Sequence, residues 1–91
     1  IHSADWFFLI SQSIYWLKTR KTSGKTQSAQ WVLANCHYPW DGLLRKAIEL
    51  RLRPALAQEQ SWQLWLEQLG EGVQQACVSL EAEMHLFSRL T

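Results

Sequence analysis

Apolar residues in this chain recur every three or four positions and nowhere alternate, and that period decides most of what the chain can become. From Trp62, the run Trp65, Leu66, Leu69, Val73, Ala76, Cys77, Leu80, Met84 and Phe87 keeps one phase across roughly 26 residues. Such spacing lines one face of a helix, whereas a half-buried strand needs strict alternation. No stretch shows sustained alternation, so the expected fold is all-α. Gly70 and Gly72 interrupt the run, and each costs about 1 kcal/mol relative to Ala in a helix interior. The phase of the stripe survives them. The segment therefore reads as one long C-terminal helix, bent at the glycines and capped at its start by Ser61.

Three shorter helices are expected ahead of it. The first starts at Ser3 as N-cap, with Asp5 as the acid of its first turn, and runs to about Lys18–Lys21. Trp6, Ile10, Ile14 and Leu17 form its stripe, with Phe7 and Phe8 beside them. Residues 22–25, Thr-Ser-Gly-Lys, break it, and Ser23 or Thr22 is expected to cap the second helix. That helix buries Ala29, Trp31, Val32 and Leu33 and ends near Asn35. Pro39 biases Tyr38 toward extended backbone and suits the first position of a third helix. Trp40, Leu43, Leu44, Ala47, Ile48 and Leu52 make its apolar face, and Pro54 stops it. Residues 55–60 read as a polar linker. The expected architecture is a compact bundle of four helices in one domain, residues 1–91.

At 91 residues the chain is near the lower end of what folds alone, and its six Trp help so small a core reach adequate burial. No apolar run approaches the length of a membrane span, and the start does not have the form of a signal peptide. A chain that begins at Ile1 rather than Met is expected to be an excised domain or a processed product. Cys36 and Cys77 fit no metal spacing, and each falls where a helix would bury it. Two free thiols in a cytoplasmic protein is the expectation.

The net charge of +1 hides an uneven spread, since most of the Lys and Arg precede Pro54 and most of the Glu follow it. A basic half facing an anionic ligand and two solvated faces of opposite sign both fit this spread. Several familiar chemistries drop out. His2, His37 and His85 are far apart, with no zinc spacing, and no hydrolytic triad is ordered by the sequence. A nucleic-acid face needs denser basic residues than these. Gly24-Lys25-Thr26 imitates the end of a P-loop, but Thr19 stands where that motif needs Gly, and a helix rather than a strand precedes it.

What remains is the stretch Tyr15–Trp31. Lys18, Arg20, Lys21 and Lys25 surround a turn that opens a helix, where an anion, above all a phosphate, can be held by side chains and free backbone N–H groups together. Lys18, Arg20 and Lys21 also suit the end of a helix. Lys25 does not suit the start of one, since a cation there opposes the helix dipole, and this marks it as a functional candidate.

Thr19-x-Lys21, Lys25, Ala29-x-Trp31, Leu44 and Ala47 resemble the C-terminal helical domain of the aminoglycoside adenylyltransferases that act on streptomycin and spectinomycin. The likeness covers roughly Phe7 to Arg51. It implies the substrate- and ATP-closing half of an antibiotic-resistance transferase, one that moves AMP from ATP to a small hydroxylated acceptor. By the same resemblance, Lys25 contacts ATP phosphates, with Lys21 beside it. Arg51 stands where an aromatic usually helps hold the nucleotide, and His2 and Asp5 lie where the acceptor binds. The family's magnesium is held by an N-terminal nucleotidyltransferase domain. Nothing in this chain matches that domain, which it would need as a covalent or separate partner, so it is not expected to be active alone. Gln12 replaces a common Arg, Arg20 replaces a Gly, and Cys36-His37 replaces Leu-Pro. The alternative is a non-catalytic helical module that pairs with another protein, such as a separate nucleotidyltransferase, through exposed Trp.

Overall fold

The computed structural model describes residues 3–90, which form five α-helices and one 3-10 helix. In chain order these are α1 (Ser3–Thr19), α2 (Lys25–Asn35), α3 (Asp41–Leu52), the 3-10 turn Pro54–Gln58, α4 (Gln60–Glu67) and α5 (Gly70–Leu90). Helix α1 is the hub and packs against α2, α3 and α5. It can be shared in this way because it is apolar on nearly every side. Phe7, Phe8, Ile10 and Ile14 are all buried.

The all-α expectation holds, and Ile10 and Ile14 of the expected α1 stripe are buried, but its first member is not. Trp6 is 45% exposed, and Phe7 takes the centre of the core in its place. Trp6, Phe7 and Phe8 are consecutive and all apolar, so the pattern there does not say which of them faces outward. The core face also includes Ser11, fully buried, whose hydroxyl donates to the Phe7 carbonyl at 2.7 Å and so needs no partner outside the helix.

The expected single C-terminal helix is two. It breaks at Gln68, whose N–H donates to the Trp65 carbonyl at 3.1 Å, and α5 restarts behind a buried Leu69. Ser61 lies inside α4 rather than at its cap, which is Glu59. The glycines do not simply bend a helix. Gly70 opens α5, and buried Gly72 lets it approach the core closely: a Cβ there would run into Leu43 Cδ1 and come within 3.4 Å of Phe7 Cζ. The linker after Pro54 is ordered as the 3-10 turn, and Leu52 is 62% exposed rather than part of the buried face of α3. Pro39 sits in the turn ahead of α3, which starts two residues later at Asp41.

The α2–α3 connection is stitched onto α5. Trp40 is fully buried and stacks on Tyr38 with ring centroids 4.9 Å apart, and its Nε1 donates to Ser79 Oγ at 3.0 Å. The Tyr38 hydroxyl donates to Glu83 Oε1 at 3.1 Å, and Lys18 Nζ lies 3.1 Å from Glu83 Oε2. Burial first, then the neighbouring Cys36 and Glu83, push the Tyr38 hydroxyl far above its ordinary range. Burial likewise raises the Cys36 thiol, with the Tyr38 hydrogen bond pulling partly the other way. Cys36 and Cys77 are both free.

Candidate functional site

The corner marked out by the sequence is built from the start of α1, the α1–α2 connection, the first turn of α2 and the last turn of α3. Helix α1 ends where Arg20 takes a left-handed backbone conformation, φ 62°, and its N–H donates to the Trp16 carbonyl at 2.8 Å. This is the closing position that glycine usually fills. Arg20 therefore occupies a Gly-like site, at a cost of about 1 kcal/mol. Its guanidinium lies 3.8 Å from the centroid of the Phe87 ring and 5.4 Å from that of Trp16, and this attraction offsets the strain.

Helix α2 then begins at Lys25 with Gly24 as its N-cap. Neither Ser23 nor Thr22 caps it, contrary to the sequence expectation. Among the described residues no side chain bonds to the first amides of α2, and no acid lies in the first turn. The amides of the first turn are thus left as donors at the positive end of the helix dipole. Lys25 is half-buried and has no ion pair or hydrogen bond among the described residues.

Arg51 reaches this turn from α3. Its Nε donates to Thr26 Oγ1 at 3.0 Å, and its guanidinium stands 5.4 Å from the centroid of the Phe8 ring. Beside it lies a cavity of about 280 Å³, with Asp5 and Arg51 among its lining residues and Phe8, Leu50 and Pro54 supplying apolar wall. That volume is at the small end of ligand sites and suits one ring or sugar rather than a whole nucleotide. Asp5 has no ion pair among the described residues.

Of the residues singled out from the sequence, Arg51 and Asp5 line one cavity, and Arg51 is bonded to the neighbour of Lys25. Lys21 is exposed in the connection, where its backbone N–H donates to Thr19 Oγ1 at 3.1 Å. His2 lies outside the described residues. Sequence reasoning missed Thr26 and Phe8, which hold the Arg51 side chain. Only the packing of α3 across α1 and α2 brings them together, and no local pattern encodes it. Gln12 was marked in the sequence only as the replacement of a common Arg; its Nε2 donates to the Ser23 carbonyl at 3.0 Å. Among the described residues no group of three or more His, Cys, Asp or Glu comes together as a metal site. No described helix is long and apolar enough to cross a membrane.

Comparison with known proteins adds no relative: no family model, no curated protein and no solved structure matches the chain.

Proposed function

We propose that the chain is the ATP- and substrate-closing helical half of a nucleotidyltransferase, one that transfers AMP from ATP to a small hydroxylated acceptor. The observation that carries this reading is the Arg51–Thr26 hydrogen bond. It sets a guanidinium against the uncapped start of α2, next to Lys25, on a cavity that Asp5 also lines. The resemblance to the aminoglycoside adenylyltransferases points to the same residues.

In this reading the Lys25 ammonium, the free amides of α2 and the remaining guanidinium donors of Arg51 bind phosphate oxygens of ATP. Arg bonds phosphate through a planar fork, while Lys acts as a point charge. Asp5 accepts hydrogen bonds from, or pairs with, a hydroxylated or cationic acceptor in the cavity. Transfer then relies on positioning and on stabilising charge that develops on the phosphoryl group, with little proton chemistry asked of this chain. The residues here do not fit a magnesium site. Any magnesium that accompanies ATP takes its protein ligands from the nucleotidyltransferase domain or subunit that completes the enzyme.

A second reading, a protein-interaction module, is favoured by Trp6 and Trp16, which are almost half exposed, and by Met84, Leu86 and Leu90 on the solvent side of α5.

Calorimetric titration of ATP with magnesium separates the two. The adenylyltransferase reading expects weak or no binding by the 91-residue chain and clear binding by the full-length protein that contains it. Lys25→Ala is expected to weaken that binding by about ten- to a hundredfold, the range for a hydrogen bond to a charged group. Its melting temperature should stay close to that of the wild type. No binding by the full-length protein would move the assignment to the interaction module.

A further inference from the structure

We propose that Gln12 is the positioning residue for Lys25, an inference that rests on the phosphate-binding reading of this corner. Its amide donates to the Ser23 carbonyl at 3.0 Å, across eleven positions of sequence. Ser23 lies just ahead of Gly24 and Lys25, in the connection between α1 and α2. The other hydrogen bonds of that connection are local to the helix ends. Arg20 N–H donates to the Trp16 carbonyl at 2.8 Å, Lys21 N–H to Thr19 Oγ1 at 3.1 Å, and Ser28 N–H to the Gly24 carbonyl at 2.9 Å. Among the described residues, Gln12 alone ties the backbone of the connection back to the middle of α1 by a hydrogen bond.

Packing does little to replace that bond. Against the connection lies a cavity of about 420 Å³, lined by Gln12, Trp16, Leu17, Thr22, Leu80 and Met84. A segment with few buried apolar contacts opens at low free energy. The connection is pinned at its start by the Arg20 guanidinium against Phe87, and toward its end by Gln12. Removing the second pin loosens the chain just ahead of Lys25, on the side of the turn that the Arg51–Thr26 bond does not hold. A phosphate site works through donors fixed before the ligand arrives, so Gln12 sets how well this one is formed.

The test uses Gln12→Met, which keeps length, removes the donor and suits the apolar cavity. Gln12→Leu serves as a second variant should the first fold poorly. Two quantities are read: backbone amide exchange at Ser28, the first hydrogen-bonded amide of α2, in the 91-residue chain, and the Kd for ATP with magnesium in the full-length protein, with and without Lys25→Ala. Exchange at Ser28 is expected to quicken by about three- to tenfold, the loss one net hydrogen bond carries, and the Kd to rise by a similar factor. With Lys25→Ala already present, Gln12→Met should weaken ATP binding by a smaller factor than it does alone, since only the α2 amides then remain to be displaced; a merely structural role would give equal factors. Unchanged exchange would overturn the clamp, whatever ATP does. Faster exchange with unchanged ATP affinity would overturn the positioning role and leave the phosphate reading standing. A wild-type protein that does not bind ATP would overturn that reading, and the role of Gln12 with it.

Discussion

Around Trp40 the polar atoms of three side chains find partners inside the fold: the indole N–H on Ser79, the Tyr38 hydroxyl on Glu83, and the Lys18 ammonium on the same carboxylate. Around Lys25 the balance is reversed. The first amides of α2 have no side-chain cap, the Ser23 hydroxyl is buried without a partner, and Lys25 and Asp5 carry charges that no described residue neutralises. Both regions lean on α1, so the difference is not one of scaffold. A satisfied network specifies one arrangement of helices, whereas unpaired donors cost stability unless something else binds them. The contrast separates a region whose polar groups are paired within the fold from one whose polar groups are left open, which is where the proposed ligand site lies.

Disrupting the satisfied side should have the largest effect. Trp40→Ala empties the centre of the core and strands Ser79, and is expected to cost about 3–5 kcal/mol in chemical denaturation. A loss below about 1 kcal/mol would show that the stitch onto α5 is not what orders the bundle. Next comes Ser28, fully buried in α2 with its hydroxyl unpartnered. Ser28→Ala removes an unsatisfied group and adds helix propensity, so urea unfolding should show a gain of about 1 kcal/mol. A loss instead would mean that the hydroxyl has a partner.

Smaller still is Lys18→Met. Lys18 is more than a third exposed, so its pair with Glu83 is worth no more than about 1 kcal/mol and should weaken further in salt. A larger, salt-independent loss would place Lys18 inside the core network.

The last effect is absent at neutral pH. Cys36 and Tyr38 have folded values raised above their ordinary 9.0 and 10.0, so the stability each contributes is complete below those values. As pH climbs past them the unfolded chain loses protons that the folded chain keeps, and stability falls. Tyr38→Phe should flatten the part of that decline above pH 10, as read by denaturation midpoints across alkaline pH. An unchanged slope would remove Tyr38 from the account.

Much of this was legible in the chain. The ends of α1, α2 and α3 fall where the stripe, the Thr-Ser-Gly break and Pro54 place them, because local propensity and packing agree there. The elbow at Gln68–Leu69 was not legible, since the apolar phase runs straight through it and only the seating of Leu69 and Gly72 on the core requires a break. The candidate site was legible as a corner and not as a set of contacts. Lys25 stood out because a cation at a helix start opposes the dipole. Thr26, Phe8 and Gln12 carry no such conflict and gained their roles only from neighbours far along the chain.

The sequence by itself determined that the chain is helical and where most of its turns fall, since 3.6-residue periodicity and breaker residues act within a few positions. The tertiary structure alone decided that Trp6 would be left out of the core, and that Arg51 would meet Thr26. Both depend on contacts between residues distant in sequence, whose geometry is set when the helices pack together.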